Sequence, residues 1–90
     1  MGVSAPIPIY KPVPEYSEEA RKAKHEGVVV LRAVVDEHGN VGDVEIVQSL
    51  GMGLDEKAVK AVKTWRFKPS EKDGKPVRVR IMIEATFRLY

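Results

Sequence analysis

The strongest constraint on the fold lies at the C-terminal end, in the stretch KPVRVRIMIEATFRLY. Val77, Val79, Ile81, Ile83, Ala85, Phe87 and Leu89 are apolar, while Arg78, Arg80, Met82, Glu84, Thr86 and Arg88 between them are mostly polar. Period two is the signature of a β-strand with one buried and one wet face. Read as one strand over Val77–Tyr90, it reaches about 40 Å at ~3.3 Å per residue, against a usual strand of about 5–6 residues. So clean an alternation calls for an antiparallel sheet covered on one side only.

The covering elements are visible upstream. Ser17 offers an N-cap hydroxyl, Glu18 and Glu19 place negative charge in a first turn, and Gly27 suits the C′ position, so the pattern predicts a helix from Ser17 to about Glu26. Its apolar stripe of Tyr16, Ala20 and Ala23 is thin, and such a helix depends on packing. GVVVLRAVVDEHGNVGDVEIVQS reads as a hairpin. Val29, Leu31, Ala33 and Val35 share one apolar face, His38-Gly39-Asn40 turns, and Val44 and Ile46 continue on the second strand opposite in sense to Asp43 and Glu45. Leu54, Ala58, Val62 and Trp65 then recur at helical spacing, with Lys57, Lys60 and Lys63 on the other side, predicting a second helix over Asp55–Arg66. Pro69 and the turn EKDGKP lead into the last strand.

The expected fold is therefore α+β, in the order α-β-β-α-β. A three-stranded antiparallel sheet carries both helices on one face, and the long C-terminal strand lies at an edge. Ninety residues close one core. Residues 15–90 form that domain. Residues 1–14, which hold four of the six prolines, read as an extended, proline-rich lead.

Chemistry is sparse. There is no cysteine, and the two histidines fall at a helix end (His25) and in a hairpin turn (His38), where structure alone accounts for them. No nucleophile, base and acid come together in the pattern, and no metal-ligand spacing occurs, so the reading is of a non-enzyme with no cofactor and no metal. Gly51 and Gly53 precede a helix but lack the strand and third glycine of a dinucleotide motif, and a plain turn is the better reading. No apolar run reaches the ~18–20 residues that cross a bilayer. Fifteen basic against thirteen acidic residues leave a net charge of +2, a small excess.

Two features remain. The lysine row of the second helix, extended by Arg66 and Lys68 and joined by Arg78, Arg80 and Arg88, is the pattern of a nucleic-acid-binding module, although lysine on a solvent-facing helix side is ordinary and no aromatic stacking pair accompanies it. The long strand is the other. Within Val77–Tyr90 it lacks the proline or bulge that blunts a sheet edge. It can accept a strand from a partner or pair with its own copy in a homodimer of a self-associating domain.

PEYSEEARKAKHEGVVVLRAVVDEHGNVGDVEIVQS followed by LDEKAVKAVKTWRFKPSEKDGKPVRVRIMIEATF resembles the C-terminal domain of TonB energy transducers from about Pro14 onward. The resemblance rests on Tyr16, Ala20-Arg21, Glu26-Gly27, Asp36, Gly39 and, above all, AVKAVKTWRFKP before DGKPV. It implies a periplasmic domain of an inner-membrane-anchored protein, with the lead as a remnant of a periplasmic spacer. A motor complex drives such proteins through their N-terminal region, and they pull on outer-membrane transporters for iron chelates and vitamins. Contact is made through the transporter's TonB-box peptide, added as a strand to the sheet edge. Carried onto this chain, the partner-binding residues are Tyr16, Ser17, Val77, Arg78, Val79, Arg80, Ile81, Met82, Ile83 and Glu84. Where the family commonly has Tyr-Pro, this chain has Tyr16-Ser17, and serine still starts a helix.

Overall fold

The computed structural model describes residues 2–89. A central antiparallel sheet is built from β2 (Gly27–Val35), β3 (Val41–Gln48) and β7 (Val79–Phe87) in the order β3-β2-β7. Helices α1 (Glu18–Ala23) and α2 (Leu54–Val62) cover one face. The alternation does what the sequence implies: Val29, Leu31, Ala33 and Val35 of β2 and Ile83, Ala85 and Phe87 of β7 are buried together with Ala20, Leu54, Ala58, Val62, Trp65 and Phe67. Their even-numbered neighbours Arg80, Met82, Glu84 and Thr86 face water on the uncovered side.

Both helices are shorter than the sequence predicts. Helix α1 stops at Ala23 because Lys24 turns left-handed, φ 53°, and its N–H closes onto the Ala20 and Arg21 carbonyls. Gly27 is instead the first residue of β2, packed where a Cβ would meet Leu50 Cδ1 at 2.6 Å. Ala23 is exposed, so Ala20 alone carries the buried stripe of α1. Helix α2 ends at Val62 rather than Arg66, and after a turn the chain becomes extended again as β4 (Arg66–Lys68). Trp65 thus anchors the core from the turn between them, 5 % exposed.

The long strand divides. Lys75–Val77 is β6, which pairs with β5 (Ser70–Lys72) across Asp73-Gly74 in a separate hairpin. The left-handed angles of these two residues, φ 53° and 76°, match a two-residue type I′ turn. Arg78 interrupts the ladder, and β7 begins at Val79. From there it pairs without a break, Val79 with Val35 through Phe87 with Gly27. Among the described residues β7 does not overhang its neighbour, because β2 and β7 are each nine residues long.

The lead is more than an extended tail. Ile7–Tyr10 forms β1, antiparallel to β4. Upstream, the Ser4 N–H donates to the Glu71 carbonyl at 3.0 Å, and the Glu71 N–H to Ser4 Oγ at 2.9 Å. Around one central sheet there are thus, among the described residues, two further two-stranded pairings, β1 with β4 and β5 with β6. They stretch the molecule to 49 × 21 × 19 Å.

Candidate strand-docking edge

The hydrogen bonding of the edge is set at the far end of the sheet, in the β2–β3 hairpin. Asp36 N–H donates to the Asn40 carbonyl at 3.0 Å, and Gly39 N–H to the Asp36 carbonyl at 3.0 Å. Asp36 Oδ1 also accepts from the His38 and Asn40 N–H groups, both at 2.9 Å. The Asn40 bond first, then that of His38 and the charges of His38 and Arg78, hold the Asp36 carboxyl below its usual value against a smaller opposing effect of burial. Asp36 therefore directs its backbone groups toward β3. Because these groups alternate along an antiparallel strand, Val35, Ala33, Leu31 and Val29 direct theirs toward β7.

Register carries the alternation across. Val79, Ile81, Ile83 and Ala85 lie opposite those odd-numbered residues and Phe87 opposite Gly27, and all five turn inward to β2. Arg80, Met82, Glu84 and Thr86 turn their N–H and C=O groups outward, away from the sheet. No strand pairs with β7 on that side among the described residues. The same four residues expose their side chains, Met82 at 55 %. The edge thus offers four donor–acceptor pairs in a row, the template an added strand needs.

Beneath the edge, on the helix side, lie two open clefts of about 210 and 220 Å³. The first is bounded by Pro8, Lys11, Trp65 and Phe67 on one wall and Ile81–Glu84 on the other. The second lies between Lys11–Pro14 and Glu84–Thr86. Trp65 forms part of both floors. Its Nε1–H donates to the Pro12 carbonyl at 3.0 Å, and Lys11 Nζ lies 5.6 Å from the ring centroid. Trp65 entered the sequence reading only as a core residue. The contact with Pro12 joins residues 53 positions apart, and no local spacing announces it.

The expected partner-binding residues do not form one surface. Val79, Arg80, Ile81, Met82, Ile83 and Glu84 lie on β7, with the even-numbered members outward and Ile83 buried. Val77 is in β6, paired with Ser70, and Arg78 sits at the break with its Nε 3.7 Å from Glu37 Oε1, so neither extends the β7 edge. Tyr16 and Ser17 are at the opposite end. Tyr16 packs edge-on against Phe87 with ring centroids 5.5 Å apart and donates its hydroxyl to the His25 carbonyl at 2.8 Å. Burial, then the charge of Glu26, raises the pKa of its phenol. Ser17 Oγ accepts from Ala20 N–H at 3.1 Å as the helix cap and donates to the Met52 carbonyl at 2.5 Å. Both side chains have intramolecular partners. His25 is likewise engaged, its Nε2 2.8 Å from the Leu50 carbonyl.

The basic rows separate too. Lys60 and Lys63 are exposed on the side of α2 away from the core, and α2 covers one sheet face, whereas Arg80 projects from the other. The described residues contain no cluster of His, Cys, Asp or Glu that could hold a metal.

The family profile described as Gram-negative bacterial TonB protein C-terminal matches residues 12–89. The chain belongs to this family. Among curated TonB relatives, it is 37 % identical over 94 residues to Protein TonB of Vibrio cholerae, covering 96 % of this chain and 38 % of that protein. It is 34 % identical over 82 residues to Protein tonB2 of Pseudomonas aeruginosa, covering 90 % and 30 %. The chain thus spans about a third of the length of these TonB proteins. The solution structure of the Pseudomonas aeruginosa TonB C-terminal domain superposes with a TM-score of 0.75 at 23 % identity, covering 97 % of this chain and 86 % of that one. That likeness supports the α+β fold. TonB proteins are not enzymes, and their C-terminal domain is periplasmic in Gram-negative bacteria.

Proposed function

We propose that this domain captures an extended segment of an outer-membrane transporter, its TonB box, as an added strand along β7, and passes on the pull that drives uptake of nutrients such as iron chelates. In this reading the domain hangs in the periplasm from an inner-membrane anchor coupled to a motor complex. The observation that carries the proposal is the free edge: Arg80, Met82, Glu84 and Thr86 turn their backbone groups away from β2, and no strand occupies that side among the described residues. Strand addition draws affinity from main-chain bonds, each worth about 0.5–1.5 kcal/mol net. A non-enzymatic force coupler suits such a contact, since a row of parallel bonds shares the load.

A proline scan with synthetic peptides copying the N-terminal segments of transporters from the same genome is the test. Arg80→Pro, Met82→Pro and Glu84→Pro remove outward N–H groups that the β2–β7 ladder does not use, so the variants keep their fold. Each should weaken peptide binding at least about tenfold, the equivalent of ~1.4 kcal/mol. Binding that survives in all three folded variants would exclude β7 as the docking edge.

A further inference from the structure

From Ile81 to Thr86 this edge has the chain's own lead for a neighbour: Pro8 and Lys11 face Ile81–Glu84, and Lys11–Pro14 faces Glu84–Thr86. The two clefts between them, about 210 and 220 Å³, are both smaller than the ~300–1,000 Å³ pockets that take drug-sized ligands. A strand lies about 4.7–4.9 Å from its neighbour and must fill that gap along its whole length. A strand added along Met82–Thr86 and the lead would share this narrow space.

The lead is held by contacts of moderate strength. The Trp65 indole donates to the Pro12 carbonyl, Lys11 sits over the ring, and β1 pairs with β4 through three residue pairs. Among the described residues, none of the lead pairs with β7 itself. Pro12 and Pro14 have no N–H to offer, so the segment nearest the edge is poorly equipped to become its permanent strand. Its large apolar side chains add little attachment: Ile9 is 70 % exposed and Val13 83 % exposed. It is placed to cover the edge without saturating it.

We propose that the lead is a clasp, fastened at Trp65, that competes with an incoming strand for the Met82–Thr86 part of the β7 edge, leaving Arg80, which lines neither cleft, as the entry point. This deepens the docking reading and rests on it. The docking strand enters at Arg80, advances toward Thr86 and lifts the lead away, breaking the bond from Trp65 to Pro12. The site thereby selects segments long enough to replace the clasp and protects its edge when none is bound. A clasp closed nine-tenths of the time lowers apparent affinity about tenfold.

The chain holds a single tryptophan, so its indole N–H gives one isolated resonance that reports on the clasp directly. The full chain is titrated with the same transporter-segment peptides, and hydrogen exchange of the Trp65 indole is followed. Exchange should speed up on saturation. In the full chain carrying Pro12→Gly with Pro14→Gly, which loosens the lead without touching the core, peptide affinity should rise about five- to tenfold, as removal of a mostly closed competitor requires. Trp65→Phe, which removes the donor and keeps a ring, should act in the same direction. If peptides that Met82→Pro abolishes still bind with indole exchange unchanged or slowed, or with the same affinity in the loosened chain, the lead is no competitor and the inference is wrong. If Met82→Pro leaves binding intact, or no peptide binds, the docking reading itself fails and the clasp falls with it.

Discussion

Gly39 and Phe67 touch backbone to backbone: the Phe67 N–H donates to the Gly39 carbonyl at 2.9 Å, and a Cβ on Gly39 would lie 1.8 Å from the Phe67 carbonyl oxygen. Gly39 also holds φ at 81° to close the β2–β3 hairpin. The tip of that hairpin is therefore docked on β4, which in turn pairs with the lead. Gly39→Ala combines a left-handed penalty of about 1–2 kcal/mol with a backbone clash. Urea unfolding should show a loss above about 2 kcal/mol; a loss under 0.5 kcal/mol, the range of a neutral surface change, would mean that the hairpin tip is not docked.

Trp65 serves the core and the lead at once. Trp65→Ala should cost about 3–5 kcal/mol through the cavity it leaves against Phe67, which approaches the full stability of many small domains. Trp65→Phe should cost clearly less. The measurement is the urea midpoint of both variants, and equal losses would show that the ring volume is not what matters.

Asp55 sets the acid limit. Burial alone would raise its pKa, but hydrogen bonds from Leu50 N–H at 2.7 Å, Ser49 Oγ at 2.5 Å and Gly51 N–H at 3.2 Å together hold it below the ordinary 3.8. The folded state thus favours the carboxylate. Its stabilisation is complete above the unfolded value and is lost as pH falls through the lower folded one. Asp36 is shifted in the same direction. Denaturation followed from about pH 6 to about pH 2.5 should show stability falling below about pH 4, and Asp55→Asn should flatten the fall. An unchanged profile in Asp55→Asn would remove Asp55 as its source.

Replacing Lys57, Lys60 and Lys63 together by glutamine should change peptide affinity by less than about twofold, because Lys57 and Lys60 border only the lead, in a cleft with Pro12 and Val13, and not the outward groups of β7. A nucleic-acid binder would instead lose about three units from the slope of affinity against salt. Parallel titrations with a peptide and with a DNA duplex separate the two, and loss of peptide binding with the lysines would overturn strand addition.

Much of the fold was legible in residue order, since period two on β2 and β7 and the helical spacing of Leu54, Ala58 and Val62 each follow from burying one face. The α+β class, the edge position of the last strand and the covered side needed nothing more. Element ends were not legible. Lysine at position 24 takes a left-handed cap that glycine or asparagine would have announced, and the ladder breaks at Arg78 within an unbroken alternation, because Asp73-Gly74 folds β6 back onto β5 before β7 begins. The site was decided by contacts between distant residues. Alternation marks which side chains of β7 are wet, but which of its N–H groups are free depends on the bond from Asp36 to Asn40, carried across β2 by register. Tyr16 and Ser17 could be placed at a helix start from sequence; only the folded chain commits their hydroxyls to His25 and Met52. The lead was readable as extended because proline fixes φ. That it lies beside the free edge of β7 rests on Trp65 reaching Pro12, and a contact between distant residues exists only once the core between them has closed.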